Sequence, residues 1–308
     1  MSNYIFRRFV EMLVTLLLMS MVVFALGRLT GDPVALILSD YASDEDRARV
    51  VQELGLDKPI WQQYGTFLSN ALRGDLGESL VGEQRPALEV VMERMPASLQ
   101  LAGTALLISF LVGIPLGVLA AVNYQSSIDV IARVVALLGQ SIPVFWLGII
   151  LMYLLSVRFS LLPTSGYGSY KHLILPAITM AFFTIAAVTR LVRVSMIDAL
   201  GSEYVKLARI KGLSEFKVVY KHALRNSLIP VLSFMGSFFA TMITGAVVVE
   251  TVFSWPGIGR LAFEAILNRD FPLMQTVVLC ITALFVIVNL IVDIGYAWLD
   301  PRIRFSEK

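Results

Sequence analysis

Residues 99–122 read LQLAGTALLISFLVGIPLGVLAAV, a run without a single charged side chain. Wound as an α-helix it would extend about 36 Å, enough to cross about 30 Å of bilayer hydrocarbon. Working outward, five comparable blocks appear, giving six in all: Phe9–Leu29, Leu99–Val122, Ile131–Val157, Leu173–Val194, Leu228–Val249 and Met274–Trp298. In lipid each must satisfy its backbone polar groups within itself, which predicts helices. The short alternating segments of a transmembrane barrel do not occur. The fold class expected is therefore all-α, a polytopic membrane protein with about six transmembrane helices. Pro115, Pro143 and Pro176, with Gly113, Gly117 and Gly148, predict kinks or close helix packing.

Composition agrees. Of 308 residues 57% are hydrophobic and 16% charged, against about 25% charged in soluble domains. Mean hydropathy is +0.75. A net charge of +2 gives no reason to expect a nucleic-acid partner. Cys280, the single cysteine, sits within an apolar block and reads as a packing residue. Arg7 and Arg8 precede an apolar run too long for a signal core and lacking a cleavage site, so it reads as a retained first span.

The connections differ in charge. Thr30 to Ser98 carries twelve acidic and six basic residues, a balance of −6. Ser43 and Asp46 predict a short capped helix closed by Gly55. Asp57 and Pro59 predict an amphipathic helix through Trp61, Tyr64, Phe67 and Leu68 that ends near Gly74. Arg190 to Arg225 holds eight basic residues and three acidic ones, which marks it as cytoplasmic. With six spans, Arg7, Arg8, Arg302, Arg304 and Lys308 fall on that same side, so both termini are expected inside. The acidic loop, outside, reads either as a docking surface or as a solvated lid.

Enzymatic chemistry finds little footing. There is no phosphate-binding G-x-x-x-x-G-K-[ST] loop and no Gly-Lys pair, so ATP hydrolysis by this chain is not expected. His172 and His222 fall at opposite membrane faces and cannot share a site. No metal or cofactor is expected.

The informative connection is Glu203-Tyr204-Val205-Lys206-Leu207-Ala208-Arg209-Ile210-Lys211-Gly212-Leu213. A helix through Ala208 should stop at Gly212, Ser214 should cap a second helix through His222, and Asn226 should cap the next span. That elbow reads either as a solvated basic loop or as a docking element for a cytoplasmic partner. Among the charges near spans, Glu11 and Asp293 could pair with basic neighbours or act in transport. Glu250 could form part of a pathway or outer gate, or cap a packing turn.

At these residues the sequence resembles the permease subunits of binding-protein-dependent ABC importers, in their dipeptide/oligopeptide branch. Ala208 and Gly212 match the general E-A-A-x-x-x-G motif, whereas Lys206 and Leu207 depart from it. Ala208-Arg209-Ile210-Lys211-Gly212-Leu213 and His222-Ala223-Leu224-Arg225-Asn226 are similar to that branch's A-R-A-K-G-L and H-A-L-R-N. Glu250-Thr251-Val252-Phe253-Ser254-Trp255-Pro256-Gly257-Ile258-Gly259-Arg260 is similar to its E-T-V-F-S-W-P-G-L-G. Gly31-Asp32-Pro33, Leu54-Gly55-Leu56-Asp57-Lys58-Pro59, Gly74-Asp75-Leu76-Gly77, Asn289 to Asp293 and Asp300-Pro301-Arg302 extend the resemblance end to end.

The resemblance implies a type I ABC importer permease fold in a bacterial inner membrane, with a path for peptides or related small solutes. Residues 1–94 would supply the first transmembrane helix and an extracytoplasmic helical loop region, and residues 95–308 the five-helix core. It implies as partners a second homologous permease, two cytoplasmic ATPases and an extracytoplasmic solute-binding protein. Tyr204, Ala208, Arg209, Lys211, Gly212 and Leu213 would contact an ATPase through a coupling helix. Two other classes share the apolar pattern, an ion-gradient-driven secondary transporter and a non-transporting scaffold. Six spans fall short of the usual inverted repeats, and no broken half-helix pair is evident from sequence.

Overall fold

The computed structural model describes residues 2–29, 43–53, 55–80 and 84–299. Gly31-Asp32-Pro33, Leu54, and the tail with Asp300-Pro301-Arg302, Arg304 and Lys308 lie outside the described residues. Among the described residues, apart from a single bridge between Glu78 and Pro86, the regular structure is helical. The elements are α1 (Ser2–Leu29), α2 (Asp44–Glu53), α3 (Ile60–Leu72), α4 (Ala87–Val122), α5 (Ser127–Ser141), α6 (Val144–Leu151) and α7 (Tyr170–Leu200). They continue as α8 (Glu203–Ile210), α9 (Glu215–Lys217), α10 (Leu224–Gly245), α11 (Val247–Val252), α12 (Ile258–Leu267) and α13 (Phe271–Leu299).

Four helices are individually long and apolar enough to cross a bilayer among the described residues, within α1, α4, α7 and α13. The third apolar block departs from expectation. α5 stops at Ser141, and α6, with the π-helical stretch Met152–Arg158 that follows it, leaves at 103°. Ile142 between them is extended (φ −80°, ψ 124°). Pro143 explains the break, since its ring excludes the helical conformation at the preceding residue and it offers no N–H. A bent half-helix pair thus stands where a single span was expected, at a proline that predicted only a kink. The fifth block lies on α10 and α11, with Phe238–Val252 as a shorter apolar stretch.

The chain divides into two compact units, Met1–Pro96 with Leu261–Leu290, and Ala97–Arg260 with Ile291–Lys308. In the first, the expected amphipathic helix is α3. Its Tyr64 and Phe67 rings sit 5.5 and 5.6 Å from Phe24 of α1, and Ser20 Oγ lies 2.8 Å from the Tyr64 hydroxyl. Trp61, one turn before Tyr64, is exposed. Gly55 and Gly74 follow α2 and α3 with positive φ, as expected of helix-ending glycines. Buried Asp270 accepts from Ser79 Oγ (2.6 Å), Leu80 N (2.9 Å) and Leu273 N (3.1 Å), so it both caps α13 and anchors the loop at Ser79.

In the second unit α4 lies close along α7. A side chain on Gly113 would stand 2.8 Å from Val188 Cγ1, and one on Gly117 would stand 2.6 Å from Val192 Cβ. Small residues one turn apart let the helices approach, which is how packing is gained where lipid supplies no hydrophobic drive between helices. Val118, Val188, Val192 and Met196 of these helices share a buried cluster with Val205, Ala208, Val218, Val219 and Val231.

Candidate functional site

The elbow is built onto that cluster. α8 turns Val205 and Ala208 inward, three residues apart and therefore on one face. Gly212 follows with φ +73°. Its N–H donates to the Arg209 carbonyl (2.9 Å), and the Leu213 N–H donates to the Ala208 carbonyl (3.3 Å). This is the Schellman pattern of helix termination, with Leu213 packed against the cluster as its apolar contact. Arg209 reaches across the turn to Glu215, Nη2 to Oε1 at 2.6 Å. That guanidinium holds the Glu215 carboxyl below its usual range.

Beyond the turn the sequence expectation needs correcting. Ser214 precedes α9 without a side-chain capping bond, and the backbone stays helical through the π-helical stretch Val218–Ala223 into α10. Asn226 lies inside α10 and caps nothing. The wider π turn brings Val218, Val219, Ala223 and Ser227 all into buried positions, where a break at Asn226 would release them.

The outward face of the elbow is apolar and basic. Tyr204, Leu207, Ile210, Phe216 and Tyr220 are exposed, Ile210 to 81%. The Phe216 and Tyr220 rings lie 4.7 Å apart. Exposed Lys206, Arg209, Lys211, Lys217 and Lys221 are interspersed among them. Apolar studs rimmed by charge are the mark of a protein-docking surface. Because the inward face is locked to α4 and α7, force applied to the studs is transmitted to those helices.

A second constellation closes the turn between α11 and α12. Glu250 is fully buried. Its carboxylate accepts from Ser98 Oγ (2.5 Å) and from the backbone N–H of Arg260 (2.9 Å), while Ser98 Oγ accepts from Ile258 N (2.8 Å). A carboxylate at the N-terminus of α12 meets donors that have no partner within their own helix. Trp255 donates its indole N–H to the Ala97 carbonyl (2.9 Å), and Ser254 adopts φ +51°.

Residues 113–305 match the family described as binding-protein-dependent transport system inner membrane component, and residues 1–102 match the N-terminal model of the same membrane component. The chain belongs to this permease family. It is 39% identical over 307 residues to the glutathione transport system permease protein GsiC of Escherichia coli O6:H1, covering 99% of this chain and 100% of that one. It is 38% identical to the probable peptide ABC transporter permease protein y4tP of Sinorhizobium fredii, at the same coverage. The MetNI methionine ABC transporter in an inward-facing conformation shares the fold at TM-score 0.60 and 16% identity, over 70% of this chain and 99% of that one. An amino acid ABC transporter solved with histidines shares it at TM-score 0.52 and 17% identity, over 70% and 94%.

Of the permease's six elbow residues singled out from sequence, Tyr204, Arg209, Lys211 and Gly212 are exposed. Ala208, only 5% exposed, and Leu213 are turned toward the buried cluster instead. Leu207, Ile210, Phe216 and Tyr220 share the exposed face and were not singled out from sequence. Glu250 has its carboxylate engaged inside the permease rather than open to a path, the arrangement of a turn-capping residue. Glu11 pairs with Arg7 (3.0 Å) and Arg8 (3.1 Å), the structural alternative for that acid. Half-buried Cys280 lies within α13.

Proposed function

We propose that this permease is one membrane half of an ATP-driven importer for peptide-like solutes, working with a second permease, two cytoplasmic ATPases and an extracytoplasmic solute-binding protein. The exposed apolar-basic face of the elbow carries the reading, because it is a docking surface rigidly joined to membrane helices. An ATPase gripping Tyr204, Leu207, Ile210 and Phe216 would move α4 and α7 as one body, and so drive alternating access. The names of the glutathione and peptide relatives support the cargo class. In this scheme residues 1–94 form the accessory span and outer loop region, and residues 95–308 the transporting core. Glu250 serves that core by holding its outer turn.

Reconstitution tests the scheme. The tagged permease is expected to copurify with a phosphate-loop ATPase and a second permease, and the assembly in vesicles should accumulate glutathione or a dipeptide only with ATP and binding protein. The permease purified alone should show no saturable nucleotide binding. Uptake by the lone chain under an ion gradient would point to a secondary transporter, and full assembly without uptake of any peptide to a scaffold.

The proposal also fixes an orientation, with both termini and Gly212 cytoplasmic and with Glu53 and Ser165 outside. Exposed Ser165 and Lys211 suit cysteine labelling in a background without Cys280. In intact cells an impermeant maleimide should label Ser165→Cys and spare Lys211→Cys. The opposite pattern would invert the topology.

A further inference from the structure

A cleft of about 390 Å³ opens between α5 and α7, on the elbow side of the second unit. Its walls are Ala132, Ala136, Leu137 and Val194, and its charged lining is Arg133, Arg190 and Arg193. One acid answers these three bases. Asp129, buried to 1% side-chain exposure, receives Arg193 through Nε (2.5 Å) and Nη2 (2.8 Å), and lies 3.7 Å from Arg133. Tyr124 stacks over the Arg193 guanidinium at 5.5 Å. Arg193 is therefore spent on the protein. Arg133 remains more than half exposed, and exposed Arg190 makes no hydrogen bond or ion pair among the described residues.

Depth decides what such a cleft can hold. Arg133 lies two residues into the apolar block that begins at Ile131, and Arg190 lies four residues before the end of the block at Val194. At 1.5 Å per residue both sit within about 6 Å of the membrane-water boundary on the elbow side. A cation there needs a counter-ion, and the site offers apolar walls directly beside it. A second cleft of about 480 Å³, lined by Leu116, Ile131, Val135 and Phe182, flanks the other side of the same helix pair and is almost purely apolar. We propose that Arg133 and Arg190 bind the phosphate of an anionic phospholipid from the elbow-side leaflet, with its acyl chains laid along the apolar surface of α5 and α7. A basic pocket between membrane helices at headgroup depth has the chemistry that such lipids recognise. A free phosphate would use the charge but not the walls.

The full chain, purified with its copurifying subunits, is exchanged into mixed lipid and detergent and its retained lipids are counted by native mass spectrometry. Phosphatidylglycerol should be retained in preference to phosphatidylcholine of the same acyl chains. Arg133→Gln and Arg190→Gln should each lower that preference about fivefold. Lysine at both positions should preserve it, and Lys171→Gln at the far end of α7 should not alter it. A diazirine-labelled phosphatidylglycerol, used on the unaltered chain, should crosslink to peptides containing Arg133 or Arg190. Equal retention of the two lipids, an unchanged preference in the double glutamine variant, or crosslinks only elsewhere would overturn the proposal. So would displacement by millimolar inorganic phosphate or glutathione, which would make the cleft a free-anion or cargo site.

Discussion

Replacing Gly212 with tryptophan is expected to abolish most transport while leaving the permease inserted and paired with its sister subunit. At φ +73° any side chain is strained, by about 1 kcal/mol, which a protein of this size can absorb. Nothing in the permease itself lies within 4 Å of where the Cβ would be, so a side chain can leave the backbone there without an internal clash at its root. It projects instead from the exposed turn between the Ile210 and Phe216 studs, where the proposed ATPase groove must close. Losing about 1.4 kcal/mol of that seating lowers coupling about tenfold, and an indole wedged into the interface should cost at least that. Uptake and binding-protein-stimulated ATPase activity are the measurements, normalised to permease in the membrane. Gly168→Trp is the control, and a more strained one. Gly168 also has positive φ (+116°) and open space around it, but lies in the connection preceding α7. If both variants transport normally, the elbow is a solvated basic loop and its coupling role is gone. If both fail alike, backbone strain rather than the interface is responsible.

What could be read from sequence, and what could not, separates along the range of the interactions. The apolar blocks were legible because span length and helicity follow from the bilayer alone. Gly212 as the end of α8 was legible because helix termination is local chemistry. The elbow's inward face was not. Val205 and Ala208 alternate with Leu207 and Ile210, giving two apolar faces, and only the cluster with Val192 and Met196 decides which is covered. The break at Ile142 was signalled by Pro143, but its 103° angle depends on neighbouring helices. Asp129 and Arg193, 64 residues apart, carry no local signature of their pairing. Nor does Glu250, whose Ser98 partner lies 152 residues away.

That distant partner makes the Glu250 turn brittle. The Glu250 carboxylate occupies the space that a side chain on Gly257 would need, and a Cβ on Gly259 would stand 2.8 Å from the Val247 backbone. Gly257→Val is therefore expected to expel the carboxylate from its seat. The Ser98 hydroxyl and the Arg260 N–H would then lose the carboxylate as their acceptor, in a closed space. Leaving a buried polar group unsatisfied costs about 1–3 kcal/mol, and more for a charged one, a sizeable part of the stability of an ordinary domain. The expected outcome is a steep loss of folded permease, read as detergent-solubilised monodisperse protein and as its melting temperature. Glu250→Gln separates charge from shape. It keeps an acceptor oxygen for Ser98 or Arg260 but brings an N–H₂ against the other donor, so it should be destabilised less than Gly257→Val. A pathway role for Glu250 gives a different pattern, with Glu250→Gln folding normally but failing in uptake, and Gly257→Val tolerated. Folding of both variants at wild-type levels would remove Glu250 from the turn's support, and failed uptake by the folded Glu250→Gln variant would then place it in the solute path.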